Sequence, residues 1–239
     1  MKDLLTKVIE AHGGLNRWQQ FNTIQVEMVS GGKLFDLKEF PQDSTPRQMT
    51  AYLHKQQASM QPFGAANQKT HFTPERIAIE TVEGKILSER IDTPANIHKH
   101  MTAEKWDALD RAYFNGYAMW MYLTTPFFML MPGFEVTETE AWQEGNETWQ
   151  GLKVTFPPEL ASHCPTQYFY FGEDYLLRRL DYEIDIAGTF NAAQYVSDFV
   201  EVQGIKLPTK RRAYKRDANG KPILDELMVA IDLSDIRLI

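Results

Sequence analysis

Three places in this 239-residue chain put reactive residue types at spacings that chemistry could use. At His163-Cys164 an imidazole adjoins the single thiol of the sequence, and a thiolate nucleophile needs a base within hydrogen-bond reach. Consecutive residues of an extended chain point to opposite sides, so this pair is not expected to form such a dyad. Pro165 sets a turn there, and Cys164 reads as a partly buried structural cysteine. At His98-Lys99-His100 two imidazoles stand at i and i+2, which on a strand would start a metal site. No third ligand is evident nearby, His54 and His71 have no assigned place, and a solvated loop is the expected alternative; no metal is expected. In the strand that begins near residue 175, Arg179, Asp181, Glu183 and Asp185 share one face, while Arg178, Leu180, Tyr182, Ile184 and Ile186 share the other. Arg178 is the odd residue on that apolar face. Its guanidinium fork could pair with a carboxylate inside a cavity or meet an anionic head group; a place at the sheet margin, with its charge in water, is the alternative. No P-loop, G-x-G-x-x-G, G-x-S-x-G or H-E-x-x-H pattern occurs, and no cofactor is implied.

The fourth feature is apolar. Residues 112–131 hold no charge in 20 positions, with seven aromatics and four methionines. A membrane span needs about 20 apolar residues, but Asn115, Gly116, Thr124, Thr125 and Pro126 interrupt this one, and Pro126 should end or kink a helix. The expectation is therefore no transmembrane segment, but a helix and loop packed inside the protein. Tyr113, Tyr117, Met119, Trp120, Met121, Tyr122, Phe127, Phe128 and Met131 are the candidate lining of an adaptable apolar pocket. Methionine repacks around differently shaped ligands, and tyrosine and tryptophan add a polar tip. The same residues are alternatively plain core.

The elements that must position these groups are mostly strands. Leu4, Leu5, Val8 and Ile9 mark one face of a short N-terminal helix, stopped by Gly13-Gly14. Period-two alternation starts at residue 22 and predicts strands at 33–40, 47–53, 57–61, 68–72, 76–81 and 86–91, with a polar loop at 41–46. Thr102 or Asn96 is placed to cap a helix through Trp106, Leu109 and Tyr113. Alternation returns at 134–142 and runs, turn by turn, to the C-terminus. Eleven or twelve strands joined by short turns favour an antiparallel meander over βαβ units. A sheet of that length curls as its twist accumulates. The fold class expected is mainly β, with some helix: a large curved antiparallel sheet or incomplete β-barrel, with a short N-terminal helix and a central helix–loop plug. One face of the plug would meet the sheet and the other a lumen. Without a composition break or linker, 1–239 reads as a single domain. The basic run 206–216 and the acidic stretch 135–147 are expected to lie on neighbouring strands and offset each other.

Composition narrows the class. With 43% hydrophobic and 24% charged residues the chain is not a disordered one. Lys+Arg number 25 and Asp+Glu 32, a net charge of −7, which argues against a nucleic-acid partner. Asp3, Lys7 and Glu10 break the apolar run that a secretory signal requires. The sequence as written therefore predicts a cytoplasmic protein, with a periplasmic one as the alternative if an export segment has been trimmed away.

The order of parts resembles the LolA/LolB-like superfamily of bacterial lipoprotein-localisation factors, in an uncharacterised bacterial branch. The resemblance is carried by Ala11-His12-Gly13-Gly14-Leu15-Asn16-Arg17-Trp18, Thr125-Pro126-Phe127-Phe128, Leu176-Leu177-Arg178-Arg179-Leu180-Asp181-Tyr182, Gly204-Ile205-Lys206-Leu207-Pro208 and Ile231-Asp232-Leu233-Ser234-Asp235-Ile236. It implies a hydrophobic cavity that holds acyl chains. The expected function is non-enzymatic binding of a hydrophobic or lipid-like small molecule against residues 112–131, with Arg178 as polar anchor. Two alternatives stand beside it: an enzyme that uses His163 with Asp181 or Asp185 on an apolar substrate, and a structural or interaction module with no ligand. The sequence names no protein partner.

Overall fold

Alternating burial along the chain resolves into thirteen strands in a computed structural model, which describes residues 3–41, 43–185 and 189–239. Met1 and Lys2, Gln42 of the expected 41–46 loop, and Ile186 of the strand discussed above lie outside the described residues. The chain opens with α1 (Leu4–Ala11), α2 (Leu15–Trp18), β1 (Thr23–Gly31) and α3 (Lys33–Leu37). Strands β2 (Arg47–Tyr52), β3 (Ala58–Gln61), β4 (Gln68–Thr73), β5 (Arg76–Thr81) and β6 (Ile86–Ile91) follow as a meander. Helices α4 (Pro94–Met101) and α5 (Ala108–Thr124) and a 3-10 helix at Phe127–Leu130 make the middle. A second meander closes the chain: β7 (Glu135–Glu144), β8 (Glu147–Thr155), β9 (Thr166–Phe171), β10 (Leu177–Ile184), β11 (Phe190–Val202), β12 (Ile205–Arg216) and β13 (Pro222–Leu238).

All thirteen strands form one sheet in the order β6-β5-β4-β3-β2-β1-β13-β12-β11-β10-β9-β8-β7. Each pairing is antiparallel, and β1 meets β13 in the centre with Ile24 opposite Leu238. The sheet ends in two free edges, β6 and β7, and is not closed into a barrel. The connection between those edges is the helical middle of the chain, so the segment that fills the hollow also ties its two rims together.

Local sequence explains each helix. Asp3 caps α1 by accepting from the Thr6 amide at 2.8 Å. Its exit needs glycine: Gly13 has φ +117°, and a Cβ there would stand 2.2 Å from the Gly204 carbonyl oxygen of the β11–β12 turn. Segment 33–40, expected as a strand, holds α3 instead. Leu34 and Phe35 are adjacent and both buried, and a strand would have sent one of them outward. The expected caps Thr102 and Asn96 belong to α4, not α5. Asp107 caps α5, accepting from the Asp110 amide at 2.8 Å while Asp110 accepts from the Asp107 amide at 3.0 Å. Arg90 of the edge strand β6 bonds both carboxylates, at 2.6 Å and 2.7 Å.

Helix α5 lies against β2, β3, β4 and β5. Its approach to β4 is close: a Cβ on Gly116 would fall 2.3 Å from Cγ of Phe72. The 3-10 helix carries the packing to the other half of the sheet. The Phe128 ring sits 5.0 Å from Phe134, 5.3 Å from Phe156 and 5.9 Å from Phe169, and Phe127 stacks on Trp18 at 4.2 Å. Each such fully buried side chain contributes roughly 1.5–3 kcal/mol of transfer free energy. From Ala112 to Met129 every residue whose burial decides the question, on every face of α5, is inside. The lumen expected along one face of the plug is therefore filled by side chains. Among the described residues no helix is long and apolar enough to cross a membrane.

Candidate functional site

Behind the plug, β10–β12 and the loop after β8 carry polar groups into the interior. His163 is 2% exposed and bonds a tyrosine through each ring nitrogen: Tyr117 at 3.2 Å on Nδ1 and Tyr122 at 2.8 Å on Nε2. The Tyr182 ring stacks on the imidazole at 4.2 Å. Burial pushes the His163 pKa down to about 3, with a further push from nearby His98. Arg211 lies over the Tyr122 ring at 4.5 Å and donates to the Tyr122 carbonyl at 2.8 Å and to Oε1 of Gln194 at 3.0 Å. Burial lowers its pKa to about 10, so it remains a cation at neutral pH.

A cleft of about 550 Å³ opens beside this cluster. One wall is a face of α4, with Pro94, Ala95, His98 and Lys99 at i, i+1, i+4 and i+5. The opposite wall is the loop after β8, from Phe156 to Pro165, and Glu183 and Asp185 stand at the end of β10. Tyr113 and His163 reach it from the interior. The walls are dominated by proline, alanine, leucine and aromatic carbon, and the charged groups are confined to α4 and β10. His98 Nε2 and Asp185 Oδ1 meet at 2.6 Å, which ties α4 to the end of β10.

Of the residues expected to bind a ligand, Tyr113 lines the cleft, with its hydroxyl donating to the Pro74 carbonyl at 2.7 Å. Tyr117 and Tyr122 hold His163, and Trp120 donates to the Tyr52 carbonyl at 2.9 Å. Met119, Met121, Phe127 and Phe128 are buried in the common core, with Met131 half-buried at its margin. Arg178 does not face the interior. A register shift between Leu177 and Arg179 makes it the extra residue of a bulge, and its guanidinium turns back to Asp174 at 2.7 Å. That is the sheet-margin alternative.

The enzyme constellation is not assembled. His163 is inside, but Asp181 lies on the convex face with Arg179, and Asp185 is engaged by His98. Cys164 points away from His163 and donates through Sγ to the Thr166 carbonyl at 3.0 Å, with its pKa raised by burial. His98 and His100 fall on a helix, not a strand, so they do not share a side. His54 bonds the Phe21 carbonyl at 2.8 Å and His71 lies 4.0 Å from Glu80.

The convex face, where alternation put Arg179 and Asp181, holds a buried cluster. Arg179 is fully buried, bonded to Asp181 at 2.5 and 2.8 Å and covered by Trp142 at 4.1 Å. Arg216 bonds the same carboxylate at 2.9 Å, and Tyr195 bridges Arg179 to Glu144. The cover comes from β7, whose register against β8 shifts between Thr139 and Trp142. The basic run likewise finds other partners than expected. It forms β12, separated from acidic β7 by four intervening strands, and Lys210, Arg212 and Lys215 pair with Asp198, Asp232 and Glu226 of the adjoining β11 and β13.

No protein-family profile and no curated protein matches this sequence. Solved structures do. A LolA superfamily protein from Nitrosomonas europaea aligns over 98% of this chain and 92% of its own, with TM-score 0.54 at 10% identity. A putative outer membrane lipoprotein-sorting protein domain from Vibrio parahaemolyticus aligns over 98% and 90%, with TM-score 0.55 at 8% identity. A DUF1329 family protein from Desulfovibrio piger aligns over 99% and 94%, with TM-score 0.54 at 11% identity. With all thirteen strands in one open sheet around a central helix, the chain is similar in fold, from end to end, to the LolA superfamily.

Proposed function

We propose that this protein binds a hydrophobic or lipid-like small molecule, without altering it, in the cleft between α4 and the 156–165 loop. The observation that carries the reading is the cleft itself: about 550 Å³ of mostly apolar surface, roofless on one side and floored by Tyr113 of the plug. That volume falls in the range of about 300–1,000 Å³ typical of small-molecule sites. Four prolines in the walls, Pro94, Pro157, Pro158 and Pro165, hold it open at low conformational cost. Behind Tyr113, the methionines and aromatics of α5 and the 3-10 helix form a floor that can repack around a chain. The lipoprotein-sorting description of the Vibrio protein, which shares this fold, supports a lipid or acyl ligand in general.

The test fills the cleft. Ala95 is exposed on the α4 wall, so Ala95→Trp should leave the fold intact while it occupies ligand space. Fluorescence titration with a dansylated fatty acid should give an affinity weakened about tenfold or more, equivalent to about 1.4 kcal/mol. Unchanged affinity, or no uptake by the unaltered protein, would overturn the proposal.

A further inference from the structure

We propose that the mouth of this cleft selects a zwitterionic head group, an anionic and a cationic centre on one single-chain amphiphile. The inference rests on the ligand-binding reading above and adds charge specificity to it. The charged side chains at the cleft's outer walls are His98 and Lys99 on α4, and Glu183 and Asp185 at the end of β10. Two of them satisfy each other, because His98 and Asp185 are hydrogen-bonded at 2.6 Å. The other two are a cation on the helical wall, Lys99, and an anion on the sheet wall, Glu183. Both are exposed, and neither forms an ion pair with a described residue. Lys99 also stands in the last turn of α4, where the helix carbonyl end favours positive charge.

The interior polar groups beside the cleft already have partners. Both nitrogens of His163 are taken by tyrosines and the Tyr113 hydroxyl by the Pro74 carbonyl, while Arg211 is spent on Gln194 and the Tyr122 carbonyl. A head group must therefore stay at the mouth, with the chain inward. There an anionic head that meets Lys99 faces the Glu183 carboxylate, and a cationic head that meets Glu183 faces Lys99. A phosphodiester joined to an ammonium meets both.

The experiment compares three amphiphiles of equal chain length, dodecylphosphocholine, dodecanoate and dodecyltrimethylammonium, below their micelle concentrations, with tail-less glycerophosphocholine as a fourth probe. The full chain should bind dodecylphosphocholine about fivefold tighter than either singly charged amphiphile at low ionic strength. The preference should shrink in high salt, because these charges are exposed, and glycerophosphocholine should not bind. Lys99→Glu should move the preference to the cationic probe and Glu183→Lys to the anionic one, with unchanged circular dichroism in both. Equal affinity for all three amphiphiles, or no response to either reversal, overturns the head-group assignment and leaves chain binding standing. Tight binding of glycerophosphocholine overturns the amphiphile. Binding of none of the probes overturns the ligand-binding reading and this inference together.

Discussion

His163 shows how much one residue's surroundings decide. A neutral imidazole offers one donor and one acceptor, and here each nitrogen has a tyrosine hydroxyl. The ring is thus a structural linker between α5 and the 156–165 loop. It has a cost in acid. Folded His163 and His12 stay neutral down to about pH 3 and about pH 4, because burial disfavours their charged forms, whereas in the unfolded chain each takes a proton below about pH 6.5. Between those limits the unfolded state holds more protons, so stability rises with pH and is lost as pH falls below about 6.5. Each histidine adds a slope of about 1.4 kcal/mol per pH unit inside its window. Urea unfolding at a series of pH values from 7 to 4.5 should therefore show a shallower acid decline for His163→Gln than for the unaltered chain, by about that slope. Parallel declines in the two proteins would mean that His163 is not held neutral in the fold.

Helix α5 is the element on which the hollow depends, and Gly116 sets how closely it can lie on the sheet. Two effects oppose each other in Gly116→Ala. Helix propensity favours alanine by about 1 kcal/mol. Against it, the new Cβ would stand 2.3 Å from the Phe72 ring, and overpacking a close-packed core costs about 1–3 kcal/mol. The Phe72 ring is fully buried and makes an edge contact with Tyr113 at 5.1 Å, so it has little room to retreat and the clash should win. Gly116→Ala should lose up to about 2 kcal/mol in chemical denaturation, and Gly116→Ala with Phe72→Leu should lose less than the sum of the single changes, as coupled neighbours do. Strict additivity would show that helix and strand do not touch there. Much of this architecture was legible in the residues: the uncharged run 112–131 is the plug, and alternation found nearly all the strands. What escaped was non-local. Residues 34 and 35 look strand-like until both are seen to be buried on one turn. The bulge that turns Arg178 outward is a one-residue register shift, which composition does not encode. The convex cluster had a signal, since Trp142, Trp149, Tyr195 and Tyr214 are large aromatics on the strands around it, but the curl of β7 that covers Arg179 follows from tertiary structure. The cleft, built from α4, a proline-bounded loop and the end of β10, joins segments that nothing in the linear order connects.

The two meanders share a single seam, β1 against β13, and a single filler. The filler touches both. Trp120 bonds the Tyr52 carbonyl of β2 in the N-terminal half, while Phe128 packs on Phe156 and Phe169 in the C-terminal half. Because the plug is buried from Ala112 to Met129, loosening one half removes part of the surface that the plug needs to stay buried against the other. The halves should therefore unfold as one cooperative unit, although the sheet is open and its edges are unpaired. Phe169→Ala tests this from the C-terminal side. The ring is 0% exposed, and its loss should cost about 3–5 kcal/mol. Native-state hydrogen exchange should then show the slowest amides of β4 and β5 losing protection by the same free energy as those of β9 and β10, even though Phe169 lies on the far half. If only β7–β10 exchanged faster while β4 and β5 kept their protection, the plug would belong to one half alone. The cleft between α4 and the 156–165 loop, which has one wall on each side of the opening, would then lie between two units free to move apart. Equal loss in both halves means instead that its walls are held at a fixed separation by the same core, which is what a site tuned to one kind of ligand requires.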